Sequence, residues 1–137
     1  MRQAIHTLAI ETQKGLAEIT GPVAHWVGGQ GIGTGLLTLF CRHTSCSLLI
    51  QENADPDVRA DLEVYFEKIA PEGPGYVHVA EGPDDMPAHI RAALTAVSLS
   101  IPVEQGRMVL GTWQGIYLFE HRRRPHRREV SMHLIGE

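Results

Sequence analysis

Apolar and polar residues alternate over residues 4–11, with Ala4, Ile5, Leu8 and Ile10 on the apolar side and Gly15 following as a turn, so a first strand is expected there. Thr20 stands where it could cap a helix over residues 22–27, with Pro22 in its first turn, and the glycines at 28, 29, 31, 33 and 35 would end it. Two apolar runs follow, GLLTLFCRH and CSLLIQE, and a polar His-Thr-Ser step between them marks two strands meeting at a bend. Asp55 before Pro56 is a helix cap with proline at the first position, and Val58, Leu62, Tyr65, Phe66 and Ile69 recur at spacings of three and four. PEGPG at 71–75 closes that helix, and PAHIRAAL has the composition of another short one. Residues 98–103, 107–110, 115–120 and 128–135 then read as successive strands, with turns at 104–106 and Pro125.

Strands gathered toward the C-terminal end, instead of alternating with helices, predict an α+β fold with mainly antiparallel β-sheet layers and two or three short helices. No repeat or long linker divides the 137 residues, so residues 1–137 are expected to form a single domain.

Composition adds exclusions. No stretch approaches the roughly 18 uninterrupted apolar residues of a bilayer span, and the first fifteen residues turn polar too early for a signal peptide, which together predict no membrane association and a cytoplasmic protein. A formal net charge of −4 disfavours nucleic acid as a partner. The basic run HRRRPHRR at 121–128 is the local exception: it could neutralise a small phosphorylated ligand, or be a solvated strand end before the turn at Pro125. Cys41 and Cys46, five residues apart, match neither a CxxC pair nor a zinc knuckle and read as two reduced, buried thiols.

Eight histidines are an enrichment in the side chain best suited to hold a metal or move a proton near neutral pH. Of these, His43 opens HTSCS at the bend, His78 follows Tyr76 before an acidic loop, and His89 lies in the short helix. They stand 35 and then 11 residues apart, which is no compact metal signature. Thr44, Ser45 and Ser47 supply hydroxyls nearby, Glu52 and Asn53 a carboxylate and an amide, but no GxSxG elbow accompanies them. Asp84 and Asp85 could bind a hard cation, orient His89 through a hydrogen bond, or serve as turn residues.

Several segments together resemble the YjbQ-like family, whose members are described as secondary thiamine-phosphate synthases: HTSCSLLIQEN at 43–53, the helix around Asp61, YVHV at 76–79, DDMPAHIRAAL at 84–94, SLSIPV at 98–103 and LGTWQGIYLFE at 110–120. Two positions depart from the family pattern: Cys46 replaces a small residue, and Met86-Pro87 replaces an asparagine-containing segment. The resemblance implies a homotrimer with sites near subunit boundaries and a divalent metal, zinc or magnesium, held by His43, His78 and His89. It implies that hydroxymethylpyrimidine diphosphate is joined to thiazole phosphate with release of pyrophosphate, with His43, His89 and Arg128 catalytic. Ser45, Ser47, Glu52, Asn53, Trp113 and Gln114 are then expected to bind the small phosphorylated substrate. Two other readings are a non-catalytic metal- or ligand-binding trimer and a metal-dependent phosphate-ester hydrolase.

Overall fold

The computed structural model describes all residues, Met1–Glu137, and has eleven elements. In order these are β1 (Arg2–Thr12), β2 (Gly15–Glu18), α1 (Thr20–Gly28), β3 (Gly35–Cys41), β4 (Cys46–Glu52), α2 (Pro56–Ile69), α3 (Asp85–Leu94), β5 (Ser98–Glu104), β6 (Arg107–Met108), β7 (Gln114–Glu120) and β8 (His126–Gly136). Five strands form one sheet in the order β1-β8-β3-β5-β6, three form a second in the order β2-β7-β4, and every pairing is antiparallel. The α+β expectation holds. No helix is long and apolar enough to cross a membrane.

Period-two alternation explains the core. Leu37 and Leu39 of β3, Ile101 and Val103 of β5, and Val130, Met132 and Leu134 of β8 point to the same face. They join Leu48, Ile116 and Leu118 of the smaller sheet in one cluster, closed at one end by Val23 and Val27 of α1. Burying such side chains stabilises by about 1.5–3 kcal/mol each relative to leaving them exposed. The first and last strands pair along their whole lengths, Arg2 opposite Gly136 and Thr12 opposite His126, which places β8 between β1 and β3. Gly35 faces Gly136 across the next ladder, where a Cβ on Gly136 would meet the Thr34 carbonyl oxygen at 2.0 Å. Only two glycines allow this approach.

Three local expectations need correction, and one helix packs in a way its spacing does not reveal. Residues 15–18 form a strand because they pair with β7, although four residues are too few to alternate visibly. The strand expected over 107–110 shrinks to Arg107–Met108, since only two residues meet β5. Thr20 does not cap α1: its hydroxyl donates to Glu18 at 2.9 Å and accepts from Ile116 N–H at 2.8 Å. α2 starts as expected, with Asp55 accepting from Asp57 N–H at 2.9 Å and Pro56 first in the helix, but none of its residues is fully buried. Phe66 packs edge-on against Phe119 of β7 at 5.3 Å, leaving Val64, Tyr65 and Ile69 exposed.

Candidate metal centre

The chain turns between β3 and β4 through residues 42–45, and α3 begins at Asp85 beside that bend. Asp85 and His89 are four residues apart on a helix and therefore share one face. The His89 Nε2 lies 3.0 Å from Asp85 Oδ2, and His78 reaches the same oxygen from the preceding loop at 2.6 Å. Glu81 adds a second carboxylate 3.6 Å from His78. One ligand atom from each of His78, Glu81, Asp85 and His89 falls within 4.8 Å of all the others.

Supports behind Asp85 and His89 hold these two in place. Asp85 gives its other oxygen to Arg122 at 2.7 Å, and Arg122 also donates to Asp84 at 3.0 Å. Burial works to raise the Asp85 pKa, but hydrogen bonding by its neighbours, His78 first, and the positive charge of Arg122 outweigh it and hold the carboxyl below its usual value. His89 Nδ1 meets the Thr44 carbonyl at 2.7 Å. A carbonyl only accepts, so Nδ1 carries the hydrogen, and in a neutral ring Nε2 is a bare lone pair. That lone pair faces a carboxylate oxygen, an arrangement satisfied by a shared proton or by a cation between the two groups. The Asp85 side chain is 2% exposed while those of His78 and His89 are 41% and 31% exposed, so the carboxylate forms a floor and the imidazoles a mouth open to solvent.

The residues singled out in the sequence divide into four groups. His78 and His89 converge. His43 does not join them: its Nε2 accepts from Glu129 N–H at 2.8 Å, and its pKa is lowered by burial and by the charge of Arg128. It borders the same hollow as His89, Thr44 and Val97, about 250 Å³ in volume. Arg128 and the two serines point inward. Arg128 is buried against Glu120, donating at 2.8 Å, and also donates to Ser45 at 2.9 Å. Ser47 is fully buried between His121, at 2.9 Å, and Thr95. A direct contact of Arg128 or Ser47 with substrate does not fit these positions, because both spend their polar atoms on buried partners.

Glu52, Asn53, Trp113 and Gln114 occupy the other end of the smaller sheet. Cys46 pairs with Glu120 near the bend, and Glu52 pairs with Gln114 six residues further along, roughly 20 Å away. Glu52 there accepts from Ala54 and Asp55 N–H, Gln114 accepts from Gly111 N–H at 2.8 Å, and Trp113 is exposed. Glu81 and Arg122 are the cluster members that sequence reasoning passed over. Their signals are faint, a carboxylate three residues after His78 and one arginine in a run of three.

Residues 5–137 match the family model described as UPF0047 protein YjbQ-like. The UPF0047 protein sll1880 of Synechocystis sp. is 54% identical over 138 residues, covering 99% of this chain and 94% of that protein. The UPF0047 protein YjbQ of Salmonella typhimurium is 47% identical over 128 residues, covering 93% of each. Among solved structures, a YjbQ/UPF0047 family protein from Clostridium acetobutylicum superposes with a TM-score of 0.88 at 37% identity, covering 95% of this chain and 99% of that one.

Proposed function

Since the chain belongs to the YjbQ-like UPF0047 family, we propose that it is a metal-dependent transferase acting on a small phosphorylated molecule. The reaction proposed is that implied by the sequence resemblance, the joining of hydroxymethylpyrimidine diphosphate to thiazole phosphate. The convergence of His78, Glu81, Asp85 and His89 supports this reading. Two imidazoles with two carboxylates suit zinc better than magnesium, which prefers oxygen donors. Tetrahedral zinc bonds of about 2.0–2.2 Å put ligand atoms roughly 3.4 Å apart, a closure that rotation of the exposed His78 and Glu81 side chains supplies. When bound, such an ion would offset the negative charge that gathers on a departing pyrophosphate.

The chain's own residues do the rest. Thr44 fixes the tautomer and direction of His89, and Arg122 fixes Asp85. Beside the cluster lies a polar hollow of about 480 Å³ lined by Asp84, Arg122, Arg123, Arg124 and His126, where Arg122 and Arg123 are held by carboxylates and the Arg124 guanidinium would donate to phosphate oxygens. The acceptor brings its own nucleophilic ring nitrogen, so no covalent intermediate on serine is needed.

Zinc titration by calorimetry should give one ion per chain, and His89→Ala or Asp85→Asn should weaken it by about 10–100-fold or more. Thiamine-phosphate formation should fall with occupancy. Tight zinc binding without turnover would favour the metal-binding reading, and release of phosphate from simple esters would favour the hydrolase, which the open mouth of the site also suits. Failure to bind any divalent ion would remove the metal-dependent transferase and the hydrolase, and leave a trimer that binds a small ligand without metal.

The proposal includes a homotrimer. Ile5, Val77, Val79, Val109 and Trp113 are each more than half exposed, and burial of such side chains against partner chains would favour assembly. Glu52, Asn53, Trp113 and Gln114 can belong to the site only if a neighbouring copy contributes them, given their distance within one chain. Light scattering on a sizing column should report three chains per particle, and a monomer at micromolar concentration would exclude a shared site.

A further inference from the structure

Cys41 ends β3 and Cys46 begins β4, and their Sγ atoms are 3.4 Å apart across the bend. Both thiols are free and buried. Strand periodicity turns Cys41 to the core face with Leu37 and Leu39, and the bend returns Cys46 to meet it. Cys41 also lines a surface depression of about 440 Å³ with Phe40, Arg42, His43, Thr44 and Val97. Cys41 is 2% exposed, so the depression brings solvent to the residue that carries one sulfur, and a small opening of the bend would admit a molecule the size of a peroxide to it.

We propose that Cys41 and Cys46 are an oxidation site, a dithiol that takes a hydroperoxide and closes to an intramolecular disulfide across the bend. The steps balance without another reagent. The Cys41 sulfur attacks one peroxide oxygen, the O–O bond breaks, and water or an alcohol leaves, giving a sulfenic acid. The Cys46 sulfur attacks that sulfur, the S–S bond forms, the S–O bond breaks, and the hydroxyl departs as water with the Cys46 proton. Two electrons pass from the thiols to the peroxide. Closing from 3.4 Å to the disulfide length of about 2.05 Å requires a movement of roughly 1.4 Å, within reach of side-chain rotation and a small shift of the bend.

The bridge would tie together the ends of residues 42–45. That bend carries the Thr44 carbonyl that orients His89 and the Ser45 hydroxyl that accepts from Arg128. Oxidation thus reaches the histidine cluster through Thr44. The chemistry stands whether or not the cluster binds a metal.

Peroxide treatment of the reduced full chain, followed by unfolding, alkylation with iodoacetamide and cleavage after glutamate, tests the proposal. The resulting peptide 19–52 holds both cysteines and no methionine. Both alkylation sites should vanish together, leaving a peptide lighter than the reduced one by two hydrogens, and dithiothreitol should restore them. Cys46→Ala should stop at a Cys41 sulfenic acid that dimedone labels, and the wild-type peptide decides alone if that variant folds poorly. Two thiols still alkylated after excess peroxide, Cys41 driven to sulfinic acid with Cys46 untouched, or a disulfide joining two chains would each overturn it.

Discussion

Replacing Arg128 by alanine is expected to destabilise the fold by about 3–5 kcal/mol, the usual cost of breaking a buried ion pair from one side. Glu120 is 1% exposed, and its two oxygens are shared among Arg128, the Thr12 hydroxyl and Arg122 N–H. Burial works to raise the Glu120 pKa, but hydrogen bonding by Arg128 outweighs it and keeps the group below the usual range. Without the guanidinium a carboxylate stays buried with two weaker partners, and the Ser45 hydroxyl loses its donor. Urea unfolding followed by circular dichroism measures the loss. Removing both charges, in Arg128→Met with Glu120→Gln, should recover much of it, because a neutral pair leaves no uncompensated charge. A catalytic Arg128, as the sequence resemblance implies, would instead lower turnover at unchanged stability. A loss below about 1 kcal/mol, the range of exposed pairs, would contradict the structural role.

The second large effect is a decline of stability on acidification that begins well above the carboxylate range. His121 is 1% exposed, and burial followed by the charge of Arg91 lowers its pKa from 6.5 to about 3. Its Nε2 is bonded to Ser47 while its Nδ1 is buried without a partner. An unfolded chain takes up a proton at this histidine below pH 6.5, but the folded chain does so only near pH 3. The unfolded state therefore binds more protons throughout that window, and stability falls as pH falls, by roughly 1.4 kcal/mol per pH unit. His43, lowered mainly by burial, acts in the same direction. Asp84 adds a separate loss lower down: its pKa is brought from 3.8 to about 2, since bonds from Arg122 and Arg123 outweigh burial, so its contribution disappears as pH drops through that interval. His121→Gln, which keeps an amide for Ser47 and does not titrate, should flatten the curve between pH 6.5 and 3. An unchanged slope in that variant would assign the acid sensitivity elsewhere.

These inward-facing polar groups show where sequence reading succeeds and where it stops. Asp55-Pro56 announces α2 because the capping carboxylate and the proline act within a few residues of each other. The strands are legible wherever one face meets the core. Arg128 was legible too, in a signal that the basic run concealed: it has the same parity as Val130, Met132 and Leu134, and the alternation carries it to the buried face. Ser47 lies among Cys46 and Leu48, both also buried, so no alternation marks its direction. For the histidine cluster, residue type pointed to His78 and His89, and the i, i+4 spacing joins Asp85 to His89 once the helix is granted. His43 stands apart because its ring nitrogen answers a backbone N–H 86 residues away, a pairing decided by the sheet.

The place of β8 also governs how the chain can assemble. It is the last element in the sequence, yet it lies inside the larger sheet, with β1 on one side and β3 on the other. As a ribosome delivers the chain, β1 and β3 emerge early and have no common partner until residues 126–136 clear the exit tunnel. Their ladders close loops of about a hundred residues, so folding is slow to begin and concerted once it does. Until then β1 and β3 present unprotected edges, the interval in which a chaperone or a premature copy–copy pairing has its opportunity.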